Sequence, residues 1–129
     1  MSITLDGSNG ITFPSGSTQN AACVAWAQFS GVGTSGSATV YGSYNISSIT
    51  INSQGYFTIN FSNSLIDGKY AVCGNASSDS GTDPFISLEI FANNGSAAVA
   101  PTSSSFICST GQPGYSNRNP TYVSLAVFR

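Results

Sequence analysis

The stretch Ile46-Ser47-Ser48-Ile49-Thr50-Ile51, then Asn52-Ser53-Gln54-Gly55, then Tyr56-Phe57-Thr58-Ile59-Asn60-Phe61 reads as two strands joined by a turn. In the second run Phe57, Ile59 and Phe61 alternate with Tyr56, Thr58 and Asn60, the period-two pattern of a strand with one buried face. Asn, Ser and Gly between the runs tolerate the tight backbone of a hairpin turn. Working outward, the alternation recurs. Residues 22–29 (ACVAWAQF) place Val24 and Trp26 on one face and Cys23, Ala25 and Phe29 on the other, so a central strand with two apolar faces is expected. Further strands are expected over residues 38–44, 69–75, 85–92, 104–108 and 122–128, punctuated by Gly31, Gly33, Gly36, Asp67-Gly68 and Asn93-Asn94-Gly95. Residues 85–92 set Ile86, Leu88 and Ile90 on one face and Phe85 and Phe91 on the other. Val99 reads as an edge position because Pro101 lacks a donor for a ladder. No segment sustains a helical stripe. About eight strands at this spacing predict an all-β chain folded as a jelly-roll-like β-sandwich.

The composition narrows the chemistry. Of 129 residues 40% are hydrophobic but only 6% charged, and His is absent. Near-normal apolar content with a net charge of −2 excludes charge-driven disorder. One compact domain of this length buries roughly two thirds of its unfolded surface, enough for a core without disulfides. The chain has 24 Ser, 11 Thr, 11 Asn and 14 Gly, so hydroxyls and amides wet its surface in place of charges. Such a surface suits packing against protein or contact with sugars, and it does not steer charged partners. Lys69, Arg118 and Arg129 are too few to neutralise phosphates, so no nucleic-acid partner is expected. No run approaches the roughly 20 apolar residues of a membrane span, so no membrane insertion is expected. The opening Met1-Ser2-Ile3-Thr4-Leu5-Asp6 lacks the basic and apolar regions of a secretion signal.

Without His, Ser-His-Asp triads, Cys-His dyads and histidine metal sites cannot form. Cys23, Cys73 and Cys108 each lie in an apolar alternating run and are expected as buried free thiols, not as a zinc set. Asp79-Ser80-Gly81-Thr82-Asp83 is oxygen-rich and loosely resembles a calcium loop but lacks its glycine position and third acidic ligand, and it reads as a solvated turn. Glu89 shares a face with Phe85 and Phe91, toward solvent or a subunit boundary. Four Asn-x-Ser triplets, at Asn45, Asn60, Asn75 and Asn94, are what chance gives in so Asn- and Ser-rich a chain. Neither an enzyme, a metal nor a cofactor is expected.

Two segments stand apart. Residues 1–20 read as an extended arm ahead of a sandwich over 21–129. Its large apolar groups, Ile3, Leu5, Ile11 and Phe13, are separated by Gly7, Gly10, Pro14 and Gly16. They would grip a neighbouring subunit or scaffold, or dock on the chain's own sandwich. Residues 112–120 gather Tyr115, Asn117, Arg118 and Asn119 in one stretch, a composition shared by recognition loops and long crossovers.

Four blocks in order carry a family resemblance. They are Val24-Ala25-Trp26-Ala27-Gln28-Phe29, Ser43-Tyr44-Asn45-Ile46-Ser47-Ser48-Ile49-Thr50, Gly55-Tyr56-Phe57-Thr58-Ile59-Asn60-Phe61 and Asp67-Gly68-Lys69-Tyr70-Ala71-Val72. With the closing Val123-Ser124-Leu125-Ala126-Val127-Phe128, this resembles the terminal β domain of tailed-bacteriophage tail-fibre proteins. The opening residues 3–14 are similar to segments of phage fibre and other virion proteins. The resemblance implies a non-enzymatic virion structural protein, homotrimeric, assembled in the host cytoplasm and displayed on the particle surface beside other virion proteins. It also implies host attachment through a surface glycan or protein, for which Tyr115, Asn117, Arg118 and Asn119 are the candidate contacts. A short arm in place of a long fibre shaft equally suits a capsid decoration (cement) protein anchored to the head lattice by Ile3, Leu5, Ile11 and Phe13, or a short adaptor or spike subunit.

Overall fold

The computed structural model describes residues 4–6, 10–12, 18–19, 22–78, 87–91, 98–111 and 118–129, the first three segments by their backbone alone. Among them are twelve strands and no helix: β1 (Thr4–Asp6), β2 (Gly10–Thr12), β3 (Thr18–Gln19), β4 (Cys23–Phe29), β5 (Gly36–Ser37), β6 (Val40–Tyr44), β7 (Ile46–Ser53), β8 (Tyr56–Phe61), β9 (Ala71–Ala76), β10 (Ser87–Ile90), β11 (Ser105–Gly111) and β12 (Val123–Phe128). β4 to β12 form two antiparallel sheets, one of five strands in the order β10-β11-β8-β7-β5 and one of four in the order β6-β4-β12-β9. Within β4 to β12, only the pairs β7–β8 and β10–β11 are consecutive strands of one sheet. Every other consecutive pair from β4 to β12 lies in different sheets, as in a jelly roll.

Alternation decides what lies between the sheets. Phe57, Ile59 and Phe61 of β8, Ile49 and Ile51 of β7, and Phe106 and Cys108 of β11 point inward from the five-stranded sheet. Ala25, Ala27 and Phe29 of β4 and Val123, Leu125 and Val127 of β12 meet them from the other. Phe29 and Phe57 bridge the layers edge to face at 5.3 Å between ring centroids. The β7–β8 hairpin turns at Gln54-Gly55 with Gly55 at φ +69°, where a glycine meets no Cβ penalty.

The chain changes sheets at a single residue between β6 and β7. Asn45 has φ +55°, a left-handed conformation that Asn tolerates better than most residues. Its Nδ2 donates to the carbonyls of Val24 and Asn63, both at 3.2 Å, while its Oδ1 accepts from the Asn63 amide at 2.8 Å. The Ser62 amide donates to the Asn45 carbonyl at 3.1 Å. One side chain therefore ties β4, the corner and the segment after β8.

Several expectations need correction. The thiols are not uniformly buried: Cys108 is, but Cys23 and Cys73 are exposed. β9 presents Val72, Gly74 and Ala76 to the interior in register with Val127, Leu125 and Val123, which leaves Cys73 outward, and Cys23 sits at the irregularity where β12 shifts register. Strand β4 is interior to its sheet, as expected; Ala25, Ala27 and Phe29 are buried, Val24 is half-buried, and Trp26 and Gln28 are exposed. Phe91 does not part from Leu88 and Ile90; at φ +61° the backbone after β10 turns it into the same core, with ring centroids 6.1 Å from both Tyr70 and Phe106. The arm folds back on itself, as β1, β2 and β3 form a separate three-stranded sheet.

Candidate functional site

The residues singled out in the sequence fall in different places. Leu5 and Ile11 stand opposite each other in the β1–β2 register. Ile3 and Phe13 lie outside the described residues, as do Tyr115, Asn117, Asp79 and Asp83. Arg118 and Asn119 mark where residues 112–120 rejoin the sandwich, and both are stitched to it. The Arg118 amide donates to the Thr110 carbonyl at 3.0 Å, and the buried Thr110 hydroxyl donates back to the Arg118 carbonyl at 2.8 Å. The Asn119 carboxamide, oriented by its acceptors, donates to the Gly31 and Gly33 carbonyls at 3.3 and 3.1 Å. Gly31 in turn donates to the Pro120 carbonyl at 2.9 Å, and a Cβ at Gly31 would strike the Pro120 ring. The Asn119 amide nitrogen thus ties the chain ahead of Pro120 to the 31–33 turn.

Glu89 is exposed on the outer face of the five-stranded sheet and accepts a hydrogen bond from Ser109 Oγ at 3.2 Å. Tyr56 lies beside this pair, in register with Ser109. Burial first, then the Glu89 charge, raise the Tyr56 pKa, and a hydrogen bond with Ser109 partly offsets them. The Tyr56 hydroxyl is therefore neutral across the physiological range. The rest of this face is a lattice of neutral polar pairs, such as Asn52 Nδ2 to Thr58 Oγ1 at 2.8 Å and Asn60 Nδ2 to Ser48 Oγ at 3.1 Å. Among the described residues no three acidic, Cys or His side chains are grouped so as to hold a metal.

The outer face of the four-stranded sheet differs in kind. Register aligns Tyr44, Trp26, Ala126 and Cys73 in one row across it and Gly42, Gln28, Ser124 and Asn75 in the next. Trp26 is 43% and Tyr44 59% exposed, high values for aromatic side chains in the middle of a sandwich. A Cβ at Gly42 would lie 3.3 Å from the Trp26 ring, so this glycine lets the indole lie down against the sheet. Gln28 Nε2 donates to Ser124 Oγ at 3.2 Å, fixing the amide in the centre of the face. Cys73, Gly74, Asn75, Ser124, Leu125 and Ala126 line an open depression of about 440 Å³ over β9 and β12, and Ala126 stands in register with Trp26 on the neighbouring strand. Tyr41 and Tyr122 pack with ring centroids 5.3 Å apart and planes tilted by 47°, each 49% exposed. Neither row holds a charged side chain.

The sequence shows β4 as a strand with two apolar faces, Val24 and Trp26 on one of them, and that pattern does not say which face stays open. The available signal was the size asymmetry within β4: Ala25 and Ala27 are small enough to meet the bulky Phe57 and Ile59 of the opposite sheet, which leaves no room for an indole there. Compared with known protein-family models, curated proteins and solved structures, the chain has no significant match.

Proposed function

We propose that this chain is a non-enzymatic structural protein of a bacteriophage virion, a fibre-type β-sandwich displayed on the particle as a homotrimer and offering a surface to a host glycan or protein. The observation that carries the reading is a division of the chain. β1, β2 and β3 pair with one another and, among the described residues, with neither sandwich sheet, while the sandwich presents an uncharged aromatic and amide face that its own core does not use. An element for attachment and a surface for recognition are what a displayed module needs, and the resemblance of the four sequence blocks to phage fibre domains points the same way. Neutral side chains make that surface indifferent to salt, which suits contact outside a cell.

The self-paired N-terminal sheet also favours a second reading, a capsid decoration protein in which the first residues grip the head lattice. Phage particles assembled without the protein separate the two. Fibre-type display predicts intact heads that adsorb poorly to the host. Decoration predicts normal adsorption and heads that break under osmotic or thermal stress. Particles that both adsorb and endure stress normally would overturn both readings.

A further inference from the structure

The open face of the four-stranded sheet has the parts of a saccharide site, and we infer that it binds a neutral hexopyranose glycan, stacked on Trp26 and hydrogen-bonded by Gln28, Ser124 and Asn75. The inference rests on the display reading above and assigns its recognition surface to this sheet instead of residues 112–120. A pyranose has one face lined with C–H groups of slight positive charge, and an indole face is negative, so the two attract when laid flat against each other. Trp26 offers such a face with little rearrangement, since the absence of a side chain at Gly42 lets the ring rest on the sheet. Restraining the ring before binding reduces the entropy lost on binding.

Hydroxyls around a sugar need donors and acceptors in alternation. The Gln28 to Ser124 hydrogen bond at 3.2 Å leaves the Gln28 Oε1 as an acceptor and the Ser124 hydroxyl hydrogen as a donor, and exposed Asn75 adds an amide in the same row. Ala126, directly across from Trp26, and the neighbouring Cys73 are short and line the open depression of about 440 Å³ over β9 and β12, one strand away from β4. That volume falls within the roughly 300–1,000 Å³ common for small-molecule sites. The two rows carry no charge, so they offer nothing to a sialic or uronic acid beyond what a neutral sugar receives. A second copy of this chain fits less well: it would bury the row of Gly42, Gln28, Ser124 and Asn75 at the centre of an interface, where polar groups without matched partners are costly.

Trp26 is the single tryptophan of the chain and reports on its own site. The full-length protein is titrated with maltotriose, cellotriose, chitotriose and mannotriose while indole emission is followed, and ligand-observed NMR repeats the titration for variants. The expected result is saturable quenching or a spectral shift with at least one trisaccharide. Trp26→Ala should then weaken binding by about tenfold or more and Gln28→Ala by about threefold to tenfold. Trp26→Phe keeps an apolar ring on the sheet, and it should retain folding and part of the affinity. Binding of none of the four trisaccharides would overturn the inference, as would binding unchanged by both Trp26→Ala and Gln28→Ala. Indole emission that instead shifts with protein concentration, together with self-association lost in Trp26→Ala, would assign the face to a second copy and overturn it too. Failure of the titration for a protein found on phage tails would refute this site alone. Saccharide binding by a protein absent from particles would refute the display reading alone.

Discussion

Replacing Asn45 by Ala tests whether one side chain holds the corner between the two sheets. The substitution removes the Nδ2 hydrogen bonds to Val24 and Asn63 and the Oδ1 contact to the Asn63 amide, at 3.2, 3.2 and 2.8 Å. At a net worth of about 1 kcal/mol each, and with solvent replacing part of the two bonds to Asn63, the loss is about 2 kcal/mol. Alanine must also adopt φ +55°, which adds about 1 kcal/mol. The total of about 3 kcal/mol corresponds to a melting temperature lower by about 10 °C in a domain of this size. Asn45→Gly loses the same hydrogen bonds but accepts the left-handed backbone, so it should cost about 2 kcal/mol. Urea unfolding followed by Trp26 emission and circular dichroism measures all three proteins, with the slope against denaturant expected to stay constant. Asn52→Ala, which loses one exposed hydrogen bond to Thr58, should change stability by less than about 1 kcal/mol and serves as the control. A cost below about 1 kcal/mol for Asn45→Ala, or a glycine variant no better than the alanine one, would refute the reasoning.

Two thiols, Cys23 and Cys73, should react with a thiol reagent in the native protein, and Cys108 only after unfolding; three rapid equivalents without denaturant would contradict its burial. Burial pushes the Cys108 pKa from 9.0 up to about 12 and that of Tyr70 from 10.0 up to about 12. The folded state holds these protons while the unfolded chain releases them, so stability is full below about pH 9 and falls as pH rises toward 12. Urea midpoints at pH 8, 9.5 and 10.5 should therefore decline, and a rising series would be the wrong sign. Gly68→Ala should prevent folding or cost more than about 3 kcal/mol, because a Cβ there collides with the Pro101 carbonyl; near-wild-type melting would show that this approach relaxes freely.

The sandwich was legible where periodicity and turn chemistry agreed. Residues 46–61 carried both, and the hairpin forms around Gln54-Gly55 with Phe57, Ile59 and Phe61 inward. Periodicity says which residues share a face but not which face meets the other sheet. In β4 that choice fell against hydrophobicity, with two alanines inside and a tryptophan outside, because the five-stranded sheet supplies the bulk of the core. Asn45 looked like chance composition, since its role depends on Val24 and Asn63, which are brought to it only by the corner itself. The hydrogen bonds of Asn119 were hidden for the same reason: its acceptors, Gly31 and Gly33, lie far away in sequence. The self-pairing of the N-terminal strands was hidden because segments of two or three residues are too short to show a period.

The most direct test of the account is to locate the protein on intact phage particles by labelling and electron microscopy, with its copy number measured in the same preparation. Label is expected on the particle surface, confined to the tail, in a multiple of three copies. Purified particles that carry no copies would contradict it.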